Sequence, residues 1–597
     1  MSDFLPVSMQ EIKERDWQSI DFLFISGDAY VDHPSFGPAI ISRVLEAHGY
    51  KVALLCQPDW KDLISFSKLG KPNYAVLISG GNLDSMLCHY TAAKKPRSED
   101  KYTPGGVTGK RPDHATIVYS QKIKELWPDI PVIIGGIEAS LRRFVHYDYW
   151  ENRLMPSILE DSKADLLIYG MGEKQIVEIA DYLAGGADIH DIHYVRGTSF
   201  LLDDKSLLDA EEYVELPSWD DVKKDKVNFA KAYSLQAKEQ DPITGKIVIQ
   251  KGINKVVVQN QPALPLTTEE MDAVYDLNYQ RECHPSYLPL GGVPALEEVK
   301  FSIISSRGCF GSCAFCAIHA HQGRIIQSRS HKSILREAKI LTQKPDFKGY
   351  IHDVGGPTAN FRHPSCEKQL KFGTCKDRQC LFPKPCDNLN ADHSDYIKLL
   401  QEIRALPGIK KVFIRSGIRY DYLLCDKKQR FLSELCEHHI SGQLKVAPEH
   451  VSQNVLNKMG KPPKEVFLKF MREFAKKNQG LGLPQYLVPY FISSHPGSTL
   501  NDAIALAEFL RDIHHQPKQV QDFIPTPGSA ATAMYYSGVD VNTFKPIFVP
   551  KKLHDKAMQR ALMQYKNPRN YRLVKEALQK AGRTDLIGDG KRCLIKK

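Results

Sequence analysis

Cys309, Cys313 and Cys316 stand at C-x3-C-x2-C spacing, three soft thiolate donors within eight residues. A cubane iron–sulfur cluster ordinarily takes four cysteine thiolates, so three leave one iron with an open coordination position, as in the contrast between catalytic and structural zinc sites. An open iron can bind a small molecule. With 13 Cys among 597 residues, this spacing arises by chance about 0.006 times per chain. A zinc knuckle or a disulfide set is the competing reading, but no paired fourth ligand of the C-x2-C type lies nearby.

A second group follows: Cys366, Cys375, Cys380 and Cys386, in an irregular stretch that also holds Gly373, Pro383 and Pro385. Four soft ligands suit a closed site, either a structural zinc or an auxiliary iron–sulfur cluster, with unligated thiols as the alternative. The odd, clustered cysteine count fits metal-bound and reduced thiols better than a disulfide framework.

These groups need scaffolding. Residues 20–180 alternate short β-branched runs (22–25, 52–55, 74–78, 131–134, 165–169) with helical stretches at 38–48 and 114–127, the rhythm of a doubly wound parallel sheet. Glycine-rich loops follow the strands at 26–33, 79–82 and 135–138. The 105–110 stretch lacks the G-x4-G-K spacing of a phosphate loop, and Arg111 stands where magnesium binding needs Ser or Thr. Six further strand runs between 301 and 523, most separated by helical segments, predict a partial (β/α)6 barrel, and the cysteine triplet directly follows the first. We therefore expect an α/β chain with an N-terminal domain at 1–184, a connecting region at 185–297, a barrel at 298–530 with a cysteine-rich insertion at 360–392, and a basic helical extension at 531–597.

The formal net charge is +10, and residues 551–597, with 14 Lys and Arg against 4 Asp and Glu, carry all of it. The extension reads as a solvated helix or as a surface that tracks RNA phosphates. No apolar run approaches the roughly 18 residues that span a bilayer, and the N-terminus lacks the features of a secretion signal, so we expect a soluble, cytoplasmic protein with no membrane partner.

At residues 300–530 the sequence resembles the radical S-adenosylmethionine superfamily, and the whole chain is similar to its YgiQ-type members, whose substrate is not established. The resemblance implies a 4Fe–4S cluster on Cys309, Cys313 and Cys316, with S-adenosylmethionine at the open iron and a reducing electron donor as partner. It implies that Phe315 lies against the adenine, that Gly355 and Gly356 receive the methionine amino group, and that Arg415, Ser416 and Glu449 contact cofactor or substrate. Pro357 stands where an acidic residue is frequent. The loops at 494–499 and 524–528 resemble late barrel loops of the methylthiotransferase branch. The N-terminal sheet looks like a cobalamin-binding domain, although the residues from Asp32 to Gly37 depart from the D-x-H-x2-G spacing of a cobalt-ligating histidine. The activity implied is cleavage of S-adenosylmethionine to a 5′-deoxyadenosyl radical that abstracts a substrate hydrogen. No acid or base is obligatory: His352, Glu449, His450 and His495 serve proton transfer or packing. A metal-stabilised nucleic-acid-binding protein without turnover is the alternative, and substrate, net reaction and oligomeric state stay unassigned.

Overall fold

The computed structural model describes residues 3–208, 210 and 212–597. The β-branched runs of the first domain pair in parallel in the spatial order Val52–Cys56, Phe22–Ser26, Ala75–Ser79, Val132–Gly135, Leu166–Ile168. Their side chains are almost all buried because both faces are covered. Phe22, Phe24, Leu54, Leu77 and Ile133 pack with Val44, Leu45, Ile176 and Ile179 of the helices Gly37–Ala47 and Glu173–Ala184. Leu23, Ile25, Val76, Ile78 and Ile134 pack with Tyr119 and Ile123 of Ala115–Leu126 on the other face. The strand order reverses between Phe22–Ser26 and Ala75–Ser79, where such sheets open a ligand crevice.

The segment at 185–297, expected to connect two domains, supplies four more strands. Thr198–Leu202 and Val256–Gln259 join antiparallel, then Ile247–Lys251, then Tyr213–Leu216 at the edge, completing nine. Polar residues inside these strands interrupt the apolar pattern, which is why they read as irregular. Gln259 Oε1 accepts from Arg143 Nε at 2.8 Å and Gln250 Oε1 from the Val145 amide at 2.9 Å, so both side chains are buried with their oxygens paired.

The barrel has six parallel strand positions: Ser302–Ile304, the pair Tyr350–Ile351 and Asp353–Gly355, Lys411–Val412, Gln443–Glu449, Tyr486–Ser493 and Gln521–Asp522. Ile303, Ile351, Val412, Leu444 and Phe491 form its core with the helices His331–Thr342, Ser394–Arg404, Lys464–Leu481 and Leu500–Asp512. The insertion at 360–392 contains one short helix, Lys368–Phe372, and no strand. The basic extension is docked, not solvated: Leu553–Met563 and Tyr571–Lys580 pack on Leu500–Asp512, burying Met558, Leu562, Val574 and Leu578. No helix among the described residues is long and apolar enough to cross a membrane.

Candidate functional site

The cysteine triplet sits on a loop clamped at its base. Ser306–Arg307 pairs antiparallel with Gln327–Ser328. Gly308 turns the chain at φ 86°, where a Cβ would fall 2.3 Å from the Ile325 carbonyl oxygen, so only glycine fits. The amides of Gly308 and Cys309 donate to Gln322 Oε1 (3.1 Å) and the Gly323 carbonyl (3.0 Å). Below, Phe310 stacks on Phe361 with ring centroids 3.7 Å apart, and Tyr422 meets both edge-on.

Burial pushes the Cys316 thiol up to about 12, with the thiols of Cys313 and Cys309 adding to it, and burial followed by Cys313 raises Cys309 as well. Arg419, held by both oxygens of Asp421 at 2.8 and 2.6 Å, donates to Cys313 Sγ at 3.5 Å. Raised thiols such as those of Cys309 and Cys316 give up their protons most readily to a cation, and Arg419 offsets the charge that results; the three-thiol donor set fits an iron–sulfur cluster. No three His, Cys, Asp or Glu side chains among the described residues, this triplet included, are grouped at metal-ligand spacing, so closing a site here requires local adjustment.

The neighbouring strand ends converge on the same region. The Ser305 amide donates to the Gly355 carbonyl at 2.6 Å. A Cβ on Gly355 would lie 2.6 Å from Ser416 Oγ, and one on Gly356 2.4 Å from the Ser306 carbonyl oxygen. Asp353 Oδ1 takes the amides of Arg415 (2.8 Å) and Ser416 (3.1 Å), and the Ser416 hydroxyl donates to Oδ2. Burial raises the carboxyl of Asp353 and that of Glu449. Glu449 occupies left-handed backbone at φ 69°, at an irregularity in the strand pairing, with Lys461 Nζ 3.8 Å away. Strain of that kind in a non-glycine residue is concentrated at functional sites.

A cavity of about 950 Å³ separates the barrel from the carboxyl ends of the N-terminal strands. Gly355, Gly356, Pro357, Arg415 and Ser416 line it, facing Gly81, Asn82, Gly136 and Met171. Cys309, Cys313, Cys316, Phe315 and Glu449 are not on its lining. Glu449 instead lies close enough to Cys316 to raise its thiol, and Phe315 packs edge-on to His495 at 6.1 Å. His352 is half-buried and, like His450 and His495, lies off the cavity lining. Burial depresses all three, His450 to about 4 and His495 to about 3.

Several residues here escaped sequence reasoning. Arg307 Nη1 donates to Glu173 Oε1 at 2.5 Å and its Nε to Tyr275 Oη at 2.9 Å, a buried ion pair that pins the base of the cysteine loop to the first domain. Their positions, one residue before Gly308 and inside the Gly170–Glu173 loop, were the available signal. Arg419 and Asp421, just past the third strand end, offered none beyond proximity.

Two stretches with off-pattern spacing take other places in the structure. Asp32 forms a buried ion pair with Arg43 and His33 does not line the cavity, whereas Pro34, Ser35 and Gly37 of the same stretch do. Arg111 bridges Asp28 (2.7 Å) and Asp100 (3.0 Å), tying the glycine loops together.

Family models match in three segments: Radical SAM N-terminal over residues 4–302, Radical SAM superfamily over 303–510, and a domain of unknown function, DUF3362, over 518–597. A UPF0313 protein of Clostridium botulinum (strain Okra) is 56% identical over 593 residues, covering 99% of this chain and 92% of its own. One from Clostridium perfringens (strain 13) is 55% identical, covering 99% and 89%. The chain belongs to the UPF0313 family of radical S-adenosylmethionine proteins. As a radical S-adenosylmethionine enzyme it uses a 4Fe–4S cluster and S-adenosylmethionine and needs a reductant. Among solved structures it is similar to the radical S-adenosylmethionine methyltransferase TsrM from Kitasatospora setae, at TM-score 0.47 and 14% identity, covering 85% of this chain and 75% of that one.

In this UPF0313 protein the second cysteine group lies away from the cavity, none of its four members lining it. Cys380 packs against the same Phe310–Phe361–Tyr422 cluster as Cys309. Burial raises its thiol, and Cys366 and Cys375 are near enough to raise it further.

Proposed function

We propose that Cys309, Cys313 and Cys316 hold the cluster of this radical enzyme and that Gly355, Gly356, Arg415 and Ser416 form the S-adenosylmethionine seat. Phe315 and Glu449 close the side nearest Cys316, and the cavity between barrel and sheet receives the substrate. Cluster and S-adenosylmethionine bound there would, with an electron from a reductant, supply the radical chemistry that removes hydrogen from carbon.

The observation that carries this reading is a set of buried polar atoms without a partner in the chain: Ser305 Oγ, Arg307 Nη2, Ser312 Oγ, His321 Nδ1 and His495 Nε2. Buried polar groups are paired in the great majority of proteins, so five around one loop point to ligands. The residues' own work is positioning. Asp353 receives the Ser416 hydroxyl proton, which leaves the Ser416 oxygen as an acceptor facing the cavity. His495, with the Pro496 carbonyl 2.8 Å from Nδ1, carries its proton there and keeps Nε2 as an acceptor. Ile133, Ile168, Ile303 and Ile304 on the lining exclude water, which strengthens every polar contact inside.

Free thiols at all 13 cysteines accord with a cytoplasmic enzyme. An RNA substrate has one support, the exposed Lys566, Arg569 and Arg572 on the docked extension. Equilibrium dialysis of S-adenosylmethionine against anaerobically reconstituted protein tests the seat. Ser416→Ala and Glu449→Gln each weaken binding about tenfold, the loss of roughly one charge-assisted hydrogen bond. Unchanged affinity in both variants overturns the assignment.

A further inference from the structure

The insertion at 360–392 is a long irregular segment inside a compact domain, and such segments are uncommon unless they carry function. It has little core of its own. Phe361 and Leu381 are buried, but in the aromatic cluster under the cysteine-triplet loop, while Leu370 and Phe372 are 62% and 71% exposed. Its remaining ties run outward: Thr374 to Asp241 (2.7 Å), Lys376 to Glu239 (2.9 Å) and Asn390 to the Tyr422 hydroxyl (2.8 Å).

Inside the segment, bonds link the stretches that carry the four cysteines, although their thiols do not stand at metal-ligand spacing and a bound ion would draw them together. Ser365, the residue before Cys366, places its Oγ 3.2 Å from Cys380 Sγ. The Cys386 amide donates to the Cys380 carbonyl at 2.9 Å. Arg324 donates to the Cys375 and Arg378 carbonyls, at 2.9 and 3.1 Å, and Cys366, Cys375 and Arg324 all lie near enough to Cys380 to act on its thiol. We propose that Cys366, Cys375, Cys380 and Cys386 bind one zinc ion in a closed, four-thiolate structural site that folds the insertion and so buttresses the Cys309 loop through Phe361, Leu381 and Phe310.

Four soft thiolates suit a tetrahedral ion with no position left for a ligand, and a metal replaces the core that this segment lacks. A structural role, and not a second reactive cluster, follows from location: none of the four lines the cavity, and Cys375 is exposed to solvent. The positive Arg324 guanidinium beside the site offsets one of the two negative charges of a zinc tetrathiolate.

The test uses full-length protein in which Cys309, Cys313 and Cys316 are replaced by Ala, expressed with zinc and iron both supplied. Elemental analysis is expected to find one zinc per chain, released on titration of the remaining thiols with a mercurial. Adding Cys375→Ser and Cys386→Ser removes that zinc. Limited proteolysis keeps the experiment decisive if the five-site variant folds poorly: stripping zinc from the triple variant with a chelator exposes 360–392 to cleavage, and restoring zinc protects it. A triple variant without metal, or with its four insertion cysteines in disulfides, overturns the proposal. Iron with acid-labile sulfide in place of zinc also overturns it, in favour of a second cluster.

Discussion

Replacing Gly356 by Ala places a Cβ 2.4 Å from the Ser306 carbonyl oxygen and 3.2 Å from its carbonyl carbon, where ordinary contact begins near 3.4 Å. The obstacle is backbone, and it cannot rotate away. Ser306 is held by its pairing with Ser328, and Ser305 on both sides by Gly355 (2.6 Å) and Arg329 (3.1 Å). One of the two strand ends must therefore move by about 1 Å, and a misplacement of that size near reacting atoms costs about 100-fold in rate. That corresponds to roughly 2.7 kcal/mol of barrier, with about 1–3 kcal/mol of overpacking charged to stability. The assay is the initial rate of 5′-deoxyadenosine release at saturating S-adenosylmethionine, alongside thermal unfolding to show that the variant is folded. Gly417→Ala is the control, since a Cβ there meets nothing within 4 Å. A Gly356→Ala enzyme within about threefold of wild type would refute the close-approach argument.

Removing one partner of the buried Arg307–Glu173 pair leaves an uncompensated charge, so Glu173→Ala is expected to lower stability by about 3–5 kcal/mol in denaturant unfolding, and Glu173→Leu with Arg307→Met to recover most of it; equal losses in the two proteins would contradict the pairing. Burial holds His450 at about 4 and His495 at about 3, against 6.5 unfolded, so both stay neutral in the fold. The unfolded chain then binds more protons below 6.5: stability is full above that pH and falls as pH drops toward 4, each ring contributing up to about 1.4 kcal/mol per pH unit. Unfolding free energy against pH, measured on the Cys309/Cys313/Cys316→Ala protein to avoid cluster lability, should show a shallower acid limb in His495→Phe; an unchanged limb contradicts the neutral buried state. If the extension binds RNA, Lys566→Glu with Arg569→Glu should weaken binding and reduce its salt dependence by about two charges, with folding intact because both side chains are exposed; salt-insensitive binding removes the RNA reading.

Much of this architecture was legible because parallel strands buried on both faces write themselves as unbroken β-branched runs, and those of the first domain lie within a residue or two of where the runs put them. The antiparallel strands between 198 and 259 were not, since Gln250 and Gln259 interrupt the pattern and their side-chain oxygens are paired by Val145 and Arg143, more than a hundred positions away. The site divides in the same way. Cysteine spacing and glycines at strand ends are local and readable, whereas Arg419 against Cys313 spans 106 positions and Glu173 against Arg307 spans 134, contacts that exist only once the chain has folded. The basic extension misled differently: counting charges does not reveal Met558, Leu562, Val574 and Leu578 on the face that docks.

The most direct measurement of the central claim is 5′-deoxyadenosine release from S-adenosylmethionine by the anaerobically reconstituted, reduced full-length protein, compared with its Cys309→Ala variant. The wild type should release it and the variant none above background, with folding unchanged. Release that survives in Cys309→Ala, or none from a wild type shown to carry a reduced 4Fe–4S cluster, contradicts that claim.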